Sequence, residues 1–228
     1  SIERNIMFTH YQHGHVIQEM SADTSDKGRF YTTPSGAILP SVTTVLSVQD
    51  KSGLDAWRKR VGDAEANRVM NQASTRGTAV HQLAEDYVNN DADWKKGAMP
   101  SNLFTFNTIK TVLDKHLDNV WCQEVPLFSE KLSVAGRVDC IAEWDGVLSI
   151  IDYKTSRRPK KLEYVESYFI QESVYAACWF EMTGVPIKQI VTVIAVDDND
   201  PQVFIEKPMN HLHKFVALRE KYRKLKGI

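Results

Sequence analysis

Two carboxylates and a lysine lie close together along the middle of the chain: Asp139, Asp152 and Lys154, inside the stretch from Gly136 to Thr155. Two apolar-rich runs flank Asp145-Gly146, a dipeptide suited to a type I′ turn because both central residues need φ > 0. With those two as the loop, Trp144 faces Val147 and Glu143 faces Leu148. Counting outward brings Asp139 opposite Asp152, with Cβ atoms about 5 Å apart on one sheet face. Lys154, two residues on, points to the same face. Like charges across a ladder destabilise it, by roughly 3 kcal/mol for unit charges about 5 Å apart at an effective dielectric near ~20. A divalent cation between the carboxylates reverses that sign, and hard cations such as Mg²⁺ prefer carboxylate oxygens. A neighbouring lysine can stabilise an anionic transition state or orient a water. On the residues alone, the alternative is a solvated hairpin face with two unrelated acids, and a β-bulge would shift the register.

The elements around this hairpin follow from pattern and punctuation. Residues 29–46 read as a hairpin about Pro34-Ser35-Gly36, followed by Pro40 to Leu46 as a strand or, if Ser41 caps it, a short helix. Residues 53–62 read as a short helix with Leu54, Trp57 and Val61 on one face and Arg58, Lys59 and Arg60 on the rest. Helical composition continues over 64–74 and 79–89, with Arg76-Gly77-Thr78 as a joint between them. On the second piece His81 and Glu85 are four apart and share a face, a spacing equally common in solvent-facing pairs. Residues 90–101 are loop-like, and 102–118 form an amphipathic helix with Leu103, Phe106, Ile109, Val112 and Leu113 inward. A strand from Trp121 to Leu127 carries Glu124. After the central hairpin comes a basic loop, Arg157, Arg158, Lys160 and Lys161, bounded by Pro159. A long helix over 162–183, ended by Gly184, precedes a continuous apolar strand from Ile187 to Val196, a strand from Gln202 to Glu206 and a basic helix over 209–226. Helices, three strands, helix, two strands and helix make a mixed α/β layer fold with a small central sheet.

Composition sets outer bounds. The chain has 228 residues, 43% hydrophobic and 25% charged, with net charge −1, so affinity for a polyanion must come from local basic patches. No apolar run reaches the length of a membrane span. The start, Ser1-Ile2-Glu3-Arg4-Asn5, has no initiator Met and no apolar signal core, which points to a trimmed or processed chain. The expected location is cytoplasmic, in a bacterium or phage-infected cell, with the mitochondrial matrix left open if a transit peptide was removed. Cys122, Cys140 and Cys178 give neither a disulfide framework nor zinc spacing, and the latter two read as core residues of a reducing compartment. His10, His13 and His15 could ligate a metal but read as an exposed, mobile terminal segment. Trp94, Phe104 and Phe106 could stack unpaired bases, with core packing the alternative for the last two.

Several of these features coincide. Gly136-Arg137-Val138-Asp139, Asp152-Tyr153-Lys154 after an apolar strand, Gln171 and Tyr175 four apart on the next helix, and Arg76-Gly77-Thr78-x-x-His81-x-x-x-Glu85 upstream together resemble the PD-(D/E)XK nuclease superfamily. Within it they are similar to the RecB-type exonuclease branch, the mitochondrial genome maintenance exonucleases and their phage relatives. Pro40-Ser41-Val42-Thr43 and the Trp57-Arg58 helix belong to the same likeness, which runs from about residue 29 to 205.

The resemblance implies a restriction-endonuclease-like α/β core: a central mixed β-sheet flanked by helices, with an N-terminal hairpin and helical elaboration. It frames residues 1–228 as one nuclease domain, with 1–118 the N-terminal part, 119–208 the sheet core and 209–228 the basic helix. It implies Mg²⁺ or Mn²⁺ held by His81, Asp139, Asp152 and the Tyr153 carbonyl, with Lys154 positioning the attacking water. Gln171 and Tyr175 would support the site or the substrate strand. Glu85 and Glu124 could hold a metal-bound water, and Arg76 would support the site or the substrate. Placed directly after Lys154, Arg157, Arg158, Lys160 and Lys161 would meet backbone phosphates, with a solvated loop the alternative. Three scattered cysteines do not match the four that hold an iron–sulfur cluster in some members. The expected activity is a DNA exonuclease on single-stranded ends or flaps, in replication, repair or recombination. An endonuclease on the same core and a non-catalytic DNA-binding module are the alternatives.

Overall fold

A computed structural model describes residues 7–228; the Ser1-to-Asn5 start lies outside the described residues. Three short strands, β1 (Ser21–Ser25), β2 (Gly28–Thr32) and β3 (Ile38–Pro40), form an antiparallel sheet. The expected hairpin is its β2–β3 half, and β1 is an addition that a polar run concealed. Ser41 then caps α1 (Val42–Leu46), its hydroxyl accepting from Thr44 N–H at 3.1 Å, which settles the strand-or-helix alternative. The helices α2 (Ser52–Val61), α3 (Asp63–Val88) and α4 (Pro100–His116) follow.

The central sheet is β4 (Leu117–Ser129), β5 (Val134–Trp144), β6 (Val147–Ser156), β7 (Gln189–Val196) and β8 (Gln202–Glu206), in that spatial order. All neighbours are antiparallel except β6 and β7, which are parallel and joined by α5 (Glu166–Thr183). The chain closes with α6 (Leu212–Lys226). Both sheet faces are covered. On one, Ile141, Ile150, Ile190 and Ile194 pack against Ile170, Val174 and Trp179 of α5 and Phe215 of α6. On the other, Cys140, Ile151, Tyr153 and Val191 meet Val80 and Ala84 of α3 and Phe106, Ile109 and Leu113 of α4. Burial on both sides explains why β7 reads as an unbroken apolar run.

Three local expectations are corrected. Residues 63–88 make one continuous 26-residue helix with no joint at Arg76-Gly77-Thr78; a helical glycine costs about 1 kcal/mol, and burial of Val80, Leu83, Ala84 and Val88 outweighs it. The histidine-bearing segment is not a loose end. It runs along the edge of β4, with Val120 N–H donating to the Thr9 carbonyl at 2.7 Å and Tyr11 N–H to the Val120 carbonyl at 2.8 Å. Tyr11 and His13 stack on Trp121, so an open sheet edge has recruited the segment. Trp94 packs between Tyr87 and Phe106 rather than standing free, whereas Phe104 is the exposed member of that trio. As expected, Cys140 and Cys178 are buried in the core, and among the described residues no helix is long and apolar enough to cross a membrane.

One polar tie fixes α3 against the far end of the sheet. Arg76 forms an ion pair with Asp197, just beyond β7, and Thr105 of α4 lies 3.5 Å from the other carboxylate oxygen. The Arg76 Nε is buried with no partner of its own, so losing Asp197 strands a cation in a half-dry place. Asp197→Asn is expected to lower stability by about 2 kcal/mol in urea unfolding; an unchanged midpoint would remove this tie from the account.

Candidate active site

The register set by the Asp145-Gly146 turn is the one counted from sequence: both residues have positive φ, and the pairs run from Trp144–Val147 to Cys140–Ile151. There the ladder stops. Beyond it β5 and β6 part, and the Asp139 side chain fills the gap, Oδ2 accepting from Tyr153 N–H at 2.8 Å. That bond replaces a lost ladder rung and leaves Asp139 close enough to Asp152 for their charges to act on each other.

Each acid has its own cation, supplied from opposite sides of the sheet. From α3, His81 Nε2 lies 3.1 Å from Asp139 Oδ2, while its Nδ1 is 2.7 Å from the Gly77 carbonyl. The carbonyl requires Nδ1–H, which orients Nε2 toward the acids. From β6 itself, Lys154 Nζ lies 2.9 Å from Asp152 Oδ2. That contact is an ion pair. Lys154 donates to Gln171 Oε1 at 3.1 Å, and Gln171 Nε2 donates to the Tyr175 hydroxyl at 3.0 Å. The Tyr175 ring in turn lies against Gly136, where a Cβ would come within 2.8 Å of it. A side chain at 136 therefore collides with the α5 arm of the site.

The charges follow this geometry. Burial pushes Asp152 up, Lys154 pulls it down, and the adjacent Asp139 leaves it raised to about 7. Burial also acts on Asp139, but the hydrogen bond and charge of His81 outweigh it and leave the carboxyl below its usual range. His81, which burial alone would lower, is lifted to about 9 by Asp139. Lys154 is likewise raised, the two acids overcoming its burial. His81 and Asp139, with Glu85 and Glu124, line a cleft of about 440 Å³. Burial raises Glu124 to about 7, with the charges of Asp139 and Glu85 adding to it, and Glu85 is raised for the same first reason. Glu124 sits at φ 51°, a break in β4 beside the site, where Arg137 bonds its carbonyl.

Of the residues singled out from sequence, His81, Asp139, Asp152, Tyr153, Lys154, Gln171 and Tyr175 form one connected group, and Glu85 and Glu124 border it. Arg76 does not join them, being engaged with Asp197. Arg157 reaches Gln72 of α3 at 2.9 Å, and Arg158 is exposed. Sequence reading missed Glu172. It is fully buried on α5, with both oxygens within 2.8 Å of the Thr192 hydroxyl on β7, the ladder partner of Asp152. Burial, with the charge of Asp152, raises it well above the usual range. An acid between Ile170 and Val174, and a lone threonine within the apolar run of β7, are the signals that could have found it.

A cation would be held, among these residues, by Asp152, Asp139 and His81. Their donor set of two carboxylates and an imidazole fits a hard divalent ion. Among the described residues no three His, Cys, Asp or Glu side chains stand as a ready-made cage.

The chain is 28% identical over 142 residues to the human mitochondrial genome maintenance exonuclease 1, covering 58% of the chain and 40% of the relative. The mouse protein of that name is 26% identical over 132 residues, covering 54% and 39%. The chain thus spans well under half of those relatives. A solved structure from Eubacterium rectale, described as a candidate exonuclease, overlaps 64% of this chain and 68% of its own at 17% identity and a TM-score of 0.43. Residues 92–225 match the PD-(D/E)XK nuclease superfamily, whose members generally use divalent metal ions; the match takes in Asp139, Asp152, Lys154, Gln171 and Tyr175, while His81 lies before it. With well over half of its length matched, the chain belongs to the PD-(D/E)XK nuclease superfamily.

Proposed function

We propose that this nuclease is a Mg²⁺- or Mn²⁺-dependent DNA exonuclease that hydrolyses phosphodiester bonds at single-stranded ends or flaps. The observation that supports the metal dependence is the buried Asp152 set beside a second carboxylate, Asp139, which His81 also meets. Exonuclease mode and a DNA substrate rest on the relatives named as genome maintenance exonucleases. Single-strand preference rests on the sequence resemblance, and a role in replication, repair or recombination follows from both.

In this reading Asp139, Asp152, His81 and the Tyr153 carbonyl would hold the ion, and a divalent ion there would supply Lewis-acid neutralisation of phosphoryl charge and activation of water. Lys154 directs the attacking water and balances the anionic transition state from a fixed position. Gln171 holds Lys154 on that line, and Tyr175 holds Gln171. Glu85 and Glu124 order water at the mouth of the cleft. Arg157, Arg158, Lys160 and Lys161, directly after β6, receive backbone phosphates, which makes binding salt-dependent. Arg76 serves this surface indirectly, by fixing α3 through Asp197.

The decisive assay offers 5′- and 3′-end-labelled single strands and a closed single-stranded circle, each with Mg²⁺, Mn²⁺ or chelator. Labelled ends should be degraded, the circle should survive, and chelator should stop the reaction. Cutting of the circle points to an endonuclease, and full activity in chelator removes the metal from the mechanism. Asp139→Ala and Asp152→Ala should abolish cleavage while leaving strand binding largely intact, and Lys154→Ala should lower kcat by roughly 10²–10³-fold. Wild-type rates in any of them would reject the assignment. His81→Ala should shift the Mg²⁺ titration to higher concentration, and an unchanged curve counts against it as a ligand. Gly136→Ala, which touches none of these groups, should cost roughly 10–100-fold in rate by displacing Tyr175; normal activity would sever the link from Tyr175 to Lys154.

A further inference from the structure

The face of α5 turned away from the acids borders a second, quite different recess. At about 100° per residue, Ser173, Ala177 and Phe180 look away from Gln171 and Tyr175. With the loop before β7 and the turn between β8 and α6, they enclose a groove of about 780 Å³. Its floor is apolar: Leu132, Ala176, Ile187 and Leu212. Phe180 stands on one wall 55% exposed, and Met209 on the opposite lip 88% exposed. Large apolar side chains left open on both sides of an apolar floor mark an interaction site rather than chance exposure.

The charge at the mouth selects the kind of partner. Lys131, Lys188 and Lys207 line the groove, all three exposed and none in an ion pair. The single lining carboxylate, Glu181, is already satisfied, accepting from the Ser129 hydroxyl and from the Glu130 and Lys131 N–H groups. Three unpaired cations against one satisfied anion leave the rim positive. An apolar centre inside a polar rim is the anatomy of a protein-binding patch. A phosphate track would instead call for planar Arg forks and stacking surfaces along the groove, and no arginine lines this one.

We propose that this groove docks an acidic peptide segment of a partner protein. One apolar anchor side chain sits between Phe180 and Met209, and its neighbouring carboxylates meet Lys131, Lys188 and Lys207. The site lies on the opposite side of α5 from the acids, so partner and substrate can be bound together. It stands independently of the nuclease reading.

The test is fluorescence anisotropy on the whole chain with fluorescein-labelled peptides, each an aspartate run ahead of a single phenylalanine, leucine or tryptophan. Controls replace the aspartates by serine or the anchor by glycine. At least one acidic, anchored peptide should bind, more weakly as salt rises. Lys188→Glu and Lys207→Glu should each weaken it about tenfold, and Phe180→Ser should do so without salt dependence. All three positions are exposed, so circular dichroism and nuclease rate should stay at wild type. The proposal is overturned if no peptide in the set binds or if the glycine or serine controls bind equally well. It is also overturned if a labelled DNA single strand displaces the peptide, which makes the groove a nucleic-acid track. Self-association of the chain in sedimentation, abolished by the same three variants, assigns the groove to a second copy and overturns it too.

Discussion

Two carboxylates are forced together where β5 and β6 separate, and most of the surrounding structure answers that repulsion. The parting of the strands removes a ladder rung, and the Asp139 side chain takes the Tyr153 N–H that the rung would have used. Satisfying that backbone donor puts one acid against the other in a buried place. Without compensation such a pair is costly. His81 and Lys154 supply one positive charge per acid.

The fold can be understood as the means of delivering those two cations. His81 arrives on α3, a helix long enough to cross the sheet and tied at Arg76 to the end of β7. Lys154 sits on β6, but its direction is set from α5 through Gln171 and Tyr175. One helix on each face therefore controls one side of the acid pair. The close approach of Tyr175 to Gly136 brings α5 down onto β5, so the glycine before Arg137 and the polar chain on α5 are parts of one arrangement. Glu172 extends it inward, its carboxyl accepting from Thr192 on the strand beside Asp152.

Much of this was legible in the sequence because it rests on short-range rules. The Asp145-Gly146 turn fixes its own register, and counting from it meets the structure to the last ladder pair. The one departure, the missing rung at Asp139, arises from competition between a side chain and the backbone, which residue counting does not see. The Gln171–Tyr175 spacing announced a shared helix face, though not that the face would grip Lys154. Long-range partners were the hard part. Arg76 went to Asp197, 121 residues away, and the polar N-terminal segment was recruited by an open strand edge that only the assembled sheet presents. Glu172 escaped notice because a buried acid leaves a mark only as an exception in an apolar pattern.

The account turns on whether a cation belongs between the facing acids. Anomalous diffraction from crystals soaked in Mn²⁺ addresses that directly. The expected result is one dominant peak within about 2.0–2.6 Å of carboxylate oxygens from both Asp139 and Asp152, lost in Asp152→Asn crystals. A map with no peak there, or with manganese bound only at carboxylates elsewhere, would contradict the account.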